Sequence, residues 1–177
     1  MIATFGAPEP VMTPGHDLDK VLLATDLGPT SSAAESWALG LAARLGAELI
    51  VISVIDPEGL RLPGGRFRSR VDQVRAEREL YALALVNRAR VAGVGARFLI
   101  WEGDPGEAIV DAATAEGASI AVVGSHGRGS LGRFLLGSVS DHVVRHARCP
   151  VVVIRPDEDA ELESLRAREP GPLDPPA

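Results

Sequence analysis

The chain has very few of the residues that build metal and redox sites. Its 177 residues include one cysteine, Cys149, and one lysine, Lys20, and only 4% are aromatic. A single cysteine excludes an internal disulfide and a cysteine-based zinc site. Because Cys149 precedes an apolar run, we interpret it as a small buried hydrophobe. Lys20 lies between Asp19 and Val21, so the chain has no Gly-Lys-Ser/Thr, and this excludes a P-loop.

Long apolar runs are also lacking. No stretch approaches the roughly 20 apolar residues that a membrane helix requires, and residues 1–16 lack the basic and apolar segments of a secretory signal. We therefore predict a cytoplasmic protein without membrane contact.

The net charge of −6 is unevenly distributed along the chain. Residues 156–177 hold seven acidic and two basic residues, so the rest of the chain is almost neutral and gives no electrostatic basis for binding nucleic acid. Residues 1–16 are proline-containing and aperiodic, and residues 157–177 are acidic and proline-rich. We expect both segments to be disordered extensions of one nucleotide-binding domain over residues 17–156.

Inside that domain, short apolar runs alternate with helical patterns. The patterns predict strands over 21–24, 49–55, 97–101, 119–123 and 151–154, and helices over 33–45, 71–92, 105–116 and 138–146. Residues 57–67, rich in glycine and proline, are expected to form a loop, and Trp37 fits the core-facing stripe of the first helix. Strands that are apolar on both faces belong to a parallel sheet covered on both sides, so we predict a doubly wound α/β domain.

The segment after the fourth strand carries the strongest chemical signal. Five glycines fall between Gly124 and Gly137, more than a simple turn requires, and they allow a ligand to approach the backbone amides. The following residues, Gly137–Ser140, open a helix whose first N–H groups can bind an anion, and the hydroxyls of Ser138 and Ser140 can donate to phosphate oxygens. This segment therefore predicts a phosphate-binding loop.

The same segment contains a string that matches the dinucleotide-binding fingerprint. Gly127, Gly129 and Gly132 have its spacing, but no acidic residue follows about 20 residues later, where that motif places one. We therefore reject a dinucleotide site.

Asp26 follows the first strand. Ligands of open α/β sheets bind beyond the carboxyl ends of the strands, where the strand order reverses. If strands one and four are neighbours there, Asp26 faces the glycine-rich loop and can accept from ribose hydroxyls or help to hold magnesium through water. An aspartate that only stabilises the turn is an equal alternative.

Gly124-x-x-Gly127, nine further residues and then Gly137-Ser138 together resemble the signature of ATP-binding universal stress proteins. The flanking Val-Val-Gly-Ser-His-Gly-Arg-Gly and Cys-Pro-Val-Val-Val-Ile strings, Asp26 and the strand ending Val54-Ile55-Asp56 are also similar to that family. The resemblance implies the sheet order 3-2-1-4-5 and adenine bonded to the backbone of Val54. The resulting nucleotide-binding residues are Thr25, Asp26, Val54, Val123, Gly124, His126, Gly127, Arg128, Gly129, Gly137, Ser138, Val139 and Ser140.

As ligand the resemblance implies ATP, ADP or AMP, with magnesium, in a dimeric regulatory module of the stress response that controls an unknown protein partner. It also implies a homodimer through the fifth strand, Val151, Val152, Val153 and Ile154, an apolar edge that would otherwise favour aggregation. No acidic neighbour in sequence orients His126 as a base, and we predict neither a catalytic residue nor a protein metal site. The alternatives are a slow magnesium-dependent ATPase using Asp26 and a dimeric interaction protein that binds no nucleotide.

Overall fold

The computed structural model describes residues 18–28, 31–60, 67–125 and 136–155. Strands and helices alternate along these residues, as the apolar patterns predict. The elements are β1 (Lys20–Ala24), α1 (Ser32–Leu45), β2 (Glu48–Ile55), α2 (Phe67–Val91), β3 (Ala96–Glu102), α3 (Pro105–Ala115), β4 (Ile120–Gly124), α4 (Ser138–His146) and β5 (Val151–Ile154). The predicted extensions, 1–16 and 157–177, lie outside the described residues.

The five strands form one parallel sheet in the order β3-β2-β1-β4-β5, which confirms the predicted fold class and strand order. The last residue of β1, Ala24, lies opposite Ile52 of β2 on one side and Val123 of β4 on the other. The chain moves outward from β1 in one direction and from β4 in the other. The order therefore reverses between these two strands, and a cleft opens beyond their carboxyl ends.

Alternate residues of the central strands build two hydrophobic cores, one on each face of the sheet. Val21 and Leu23 of β1 pack with α1 and α2. Leu22 of β1 and Ile50 of β2 pack with α3 and α4. Burial on both faces explains why these strands are unbroken apolar runs and not alternating ones.

Trp37 does not join the core, contrary to the sequence-based prediction. Its side chain is 61% exposed, whereas Ala34, Ala38 and Ala42 form the buried face of α1. Trp37 immediately precedes Ala38, so it is rotated by about 100° around the helix from that small-residue face. The periodic pattern included both positions, and the alanines are the ones that pack against the sheet.

Helix α2 begins at Phe67, four residues before the predicted start, so the predicted loop over 57–67 extends too far. Arg68, Ser69 and Arg70, which follow Phe67 in the first turn, are exposed and polar, and an apolar period does not detect such residues. Within the described residues, no helix is both long and apolar enough to cross a membrane.

Candidate functional site

A cavity of about 810 Å³ opens beyond the carboxyl ends of β1, β2 and β4. Its wall is completed by residues of α2 and by the first turns of α3 and α4. The predicted site residues that line it are Thr25, Asp26, Val54, Val123, Gly124, Gly137, Ser138, Val139 and Ser140. His126, Gly127, Arg128 and Gly129 lie outside the described residues. The fold thus brings residues from three distant parts of the sequence to one cavity.

Both ends of the glycine-rich segment are fixed to the sheet. The Ser125 N–H donates to the Ile154 carbonyl of β5 at 2.7 Å, and the Gly137 N–H donates to the Ser125 carbonyl at 2.9 Å. The described residues on the two sides of 126–135 are therefore hydrogen-bonded to each other beside the end of β4.

Helix α4 presents its N-terminus to the cavity. Gly137 is the N-cap, and the first helical hydrogen bond runs from the Asp141 N–H to the Gly137 carbonyl at 2.9 Å. The N–H groups of Ser138, Val139 and Ser140 thus have no acceptor within the helix. Their positive end charge, facing the cavity, is suited to an anion such as phosphate.

The hydroxyl of Ser140 has a different role from the predicted one. It donates to the Gly124 carbonyl at 2.5 Å, and the residue is only 5% exposed. This bond ties the start of α4 to the end of β4, so the hydroxyl hydrogen is not directed to a ligand. Ser138 is exposed at the same helix start, which makes it the better placed of the two hydroxyl donors.

Asp26 stabilises the turn between β1 and α1. Its Oδ1 accepts from the Gly28 N–H at 2.9 Å and from the Ser31 hydroxyl at 2.6 Å. Ser31 is the N-cap of α1, but its side chain makes no capping bond to the helix. The turn role that the sequence left as one alternative is therefore observed, and the same carboxylate also lines the cavity.

Thr25 and Glu35 hold the other half of this turn. The Thr25 hydroxyl accepts from the Leu27 N–H at 2.9 Å and donates to Glu35 Oε1 at 3.2 Å. Leu27 has a φ of 58°, a left-handed conformation that is costly for leucine. Burial raises the pKa of the Glu35 carboxyl above its usual 4.5, opposed by the Thr25 hydrogen bond and by Arg88. The turn is thus shaped by side-chain acceptors for its own N–H groups.

The end of β2 extends past the end of β1. The Thr25 N–H donates to the Ile52 carbonyl at 3.0 Å, so Ile52 directs its backbone groups toward β1. Val54, two residues later, directs its backbone N–H and C=O groups toward the same side. At that point β1 has ended and the cavity begins. The backbone of Val54 therefore faces the position where the resemblance implies a base.

Arg78 of α2 also lines the cavity, and the sequence analysis missed it. Its Nη1 donates to the Ser53 hydroxyl at 3.0 Å and to the Val54 carbonyl. Helix α2 contains many charged residues, and nothing in their spacing distinguishes Arg78 from the solvent-facing ones. Asp56, Leu60 and Ile109 complete this part of the wall.

The remaining titratable candidates lie elsewhere. Cys149 is half-buried among apolar residues, and burial raises the pKa of its thiol, which agrees with a packing role. The rings of His142 and His146 stack at 4.2 Å on α4. Among the described residues there is no group of three or more His, Cys, Asp or Glu side chains placed to hold a metal ion.

The family model described as "Universal stress protein family" matches residues 18–155, which span all five strands and the cavity. The chain belongs to the universal stress protein family. This confirms the resemblance to that family, and membership of its ATP-binding subgroup stays a prediction.

Similar proteins cover most of this universal stress protein. It is 32% identical over 138 residues to universal stress protein MJ0531 of Methanocaldococcus jannaschii, covering 77% of this chain and 81% of that one. The solved structure of hypothetical protein MJ0577 superimposes with a TM-score of 0.70 and 26% identity over 81% of this chain and 99% of that one. A universal stress protein solved in complex with cAMP gives a TM-score of 0.60 at 25% identity, over 78% and 97% of the two chains.

Proposed function

We propose that this chain binds an adenine nucleotide, ATP, ADP or AMP, in the cavity at the strand ends. The phosphates lie at the N-terminus of α4, and the base lies beside the backbone of Val54. One observation carries the proposal: the N–H groups of Ser138, Val139 and Ser140, which have no helical acceptor, open on the same cavity as Asp26 and Val54. A polyphosphate and a purine base need these two kinds of partner at the two ends of one cleft.

The family membership supports the same assignment for the rest of the loop. Gly127 is part of the nucleotide-binding signature, and His126, Arg128 and Gly129 belong to the flanking string that is similar to the family, so these four residues would complete the phosphate and ribose contacts. The similar universal stress protein solved with cAMP shows that a protein of this fold binds an adenine nucleotide.

Asp26 would hold magnesium if the nucleotide is bound with that ion. Magnesium typically keeps several waters and takes one or two carboxylates together with phosphate oxygens, so a carboxylate that lines the same cavity as the α4 N-terminus fits its needs. The test is the nucleotide Kd with and without magnesium in wild type and in Asp26→Asn. The proposal predicts that only the wild type gains affinity from the ion.

The nucleotide-binding experiment uses the thermal shift of the full chain with ATP, ADP, AMP and adenosine. A ligand that binds only the native state stabilises it by mass action, by about 2.7 kcal/mol at one hundred times its Kd. Ser138→Asp places a negative charge at the proposed phosphate position and should repel a phosphate. The same charge interacts favourably with the N-terminal end of the α4 dipole, so the variant should keep its fold. We expect it to abolish the shift with the three nucleotides and to leave any shift with adenosine intact.

Ser69→Asp is the matched control for Ser138→Asp. Ser69 is exposed in the first turn of α2, and it does not line the cavity, so the same added charge should not alter the nucleotide shift. If the wild type shows no shift with any nucleotide, the chain is better explained as an interaction protein without a ligand. If Ser138→Asp binds ATP as well as wild type does, the phosphates are not at α4.

We also propose that the nucleotide-bound protein is a homodimeric regulatory module, paired through β5. Val151, Val152, Val153 and Ile154 form an edge strand that is hydrogen-bonded to β4, and each is partly exposed. Pro150 and Ile154 direct their carbonyls toward β4, so Val151 and Val153 direct their backbone groups to the open edge. This edge and its apolar side chains are suited to a second copy of the strand.

The dimer is tested by Val153→Pro, which removes an N–H only from the open edge. Light scattering should change from the mass of a dimer to that of a monomer, with the circular dichroism spectrum retained. A wild-type monomer at micromolar concentration, or a Val153→Pro dimer, would contradict pairing through β5. The regulatory partner and the cytoplasmic location stay predictions.

A further inference from the structure

The carboxyl end of β2 holds the positively charged part of the cavity wall. Among the described residues that line the cavity, Arg78 is the one with a positive charge. Its guanidinium reaches from α2 to the sheet, where Nη1 donates to the Ser53 hydroxyl at 3.0 Å and to the Val54 carbonyl. Ser53 is 1% exposed, so the guanidinium is anchored to a fixed group.

This contact changes what Val54 offers to a base. A guanidinium has five N–H donors and no acceptor. Its bond to the Val54 carbonyl occupies the backbone acceptor that an amino group on the base would use. An amino group on the base must share the Val54 carbonyl oxygen with Arg78. The same amino group lies close to the guanidinium N–H groups, which cannot accept a hydrogen bond.

An oxygen substituent at the same place meets the opposite situation. A purine with oxygen at position 6 offers an acceptor to the guanidinium, the pairing by which arginine commonly recognises guanine O6. Because the arginine fork presents two parallel N–H groups, it can donate to Val54 and to a ligand oxygen together.

We infer that Arg78 recognises the substituent at position 6 of the purine ring and shifts this cavity toward 6-oxopurine nucleotides. The inference rests on the proposed nucleotide site and adds to it a residue that determines base specificity. It does not require that the cavity exclude adenine. It requires that the balance between 6-amino and 6-oxo ligands depend on Arg78.

The experiment compares AMP with inosine monophosphate, which carries oxygen in place of the amino group at position 6 and a proton on the neighbouring ring nitrogen. Calorimetry gives both Kd values for the full chain in wild type and in Arg78→Met, which keeps an unbranched side chain without charge. We expect the ratio of the AMP Kd to the inosine monophosphate Kd to fall about tenfold or more in Arg78→Met. Losing a charged hydrogen bond and regaining a backbone acceptor both act in that direction.

Two further variants make the result specific. Ser53→Ala removes the anchor of the guanidinium and should shift the ratio in the same direction by a smaller factor. Arg75→Met is the matched control, because Arg75 lies on the same helix, pairs with Glu102 at 2.5 Å and does not line the cavity. Its ratio should equal that of wild type.

The outcomes separate this inference from the proposed function. If Arg78→Met changes both affinities by the same factor, Arg78 does not recognise position 6, and the nucleotide site itself stands. If wild type binds neither nucleotide, the proposed function fails and the inference fails with it. If Arg78→Met does not fold, an unchanged ratio in Ser53→Ala overturns the inference, and a lowered ratio supports it.

Discussion

The contact between α3 and α4 gives the sharpest test of the packing that positions the cavity. Gly106, in the first turn of α3, is buried against the ring of His142 on α4. A Cβ placed on Gly106 would lie 2.9 Å from His142 Cγ and 3.0 Å from its Cβ. These atoms are close to the backbone of α4, and the ring is stacked on His146 at 4.2 Å, so the imidazole cannot simply rotate away. Gly106→Ala must therefore push α3 and α4 apart.

The magnitude follows from two opposing effects. Replacing glycine by alanine inside a helix stabilises it by about 0.5–1 kcal/mol, and by less in the first turn. Forcing an extra methyl into a packed contact costs about 1–3 kcal/mol. We expect Gly106→Ala to lower the free energy of unfolding by about 0.5–2 kcal/mol.

Gly40→Ala is the matched control in α1. Gly40 is exposed, and a Cβ there would meet no atom within 4 Å. Only the helix-propensity effect remains, so this variant should gain about 0.5–1 kcal/mol. Urea denaturation followed by circular dichroism measures both variants. The dependence of the unfolding free energy on urea concentration should be the same in the variants and in wild type.

A double-mutant cycle with His142→Ala identifies the cause. Removing the ring removes the 2.9 Å contact with Cγ and leaves the 3.0 Å contact with the Cβ of residue 142, so Gly106→Ala should be less destabilising in that background. The reasoning is refuted if Gly106→Ala stabilises the protein as much as Gly40→Ala does. It is equally refuted if its cost is the same with and without the His142 ring.

Two further predictions concern stability. Burial raises the pKa of Glu35 in the folded state, so the stability linked to this group is present below pH 4.5 and is lost as the pH rises through the folded pKa. The free energy of unfolding of Glu35→Gln, measured by urea denaturation, should therefore increase relative to that of wild type as the pH rises from 4 to 7. A difference that does not change with pH would contradict this. Leu22 of β1 is fully buried in the core that the sheet forms with α3 and α4. Leu22→Ala should lower the free energy of unfolding by about 3 kcal/mol, and a loss below 1 kcal/mol would show that the core refills the space.

Asp26 shows how far a residue type can be interpreted without coordinates. Its place directly after the first strand predicted a position at the carboxyl end of the sheet. In the structure Asp26 lies there and lines the cavity. The sequence could not choose between a ligand contact and a turn contact. The choice depends on where the Gly28 N–H and the Ser31 hydroxyl point, and Oδ1 accepts from both.

Arg78 is the opposite case, because no sequence signal distinguished it. The charged residues of α2 all fit a solvated helix face, and only the packing of α2 on the sheet brings this one to Ser53 and Val54. Ser140 is similar. Its hydroxyl suited a phosphate by type, and the approach of α4 to β4 gave it the Gly124 carbonyl instead.

The sequence by itself determined the element order, the parallel sheet and the position of the α4 N-terminus after the glycine-rich segment. Apolar runs, helical periods and glycine spacing are local properties, and the physics that connects them to strands, helices and anion-binding helix ends is local too. The tertiary structure decided which side chains face the cavity, the exposure of Trp37 and the partners of Asp26, Arg78 and Ser140. These depend on distances between residues far apart in the chain, which are set only when the helices pack on the sheet.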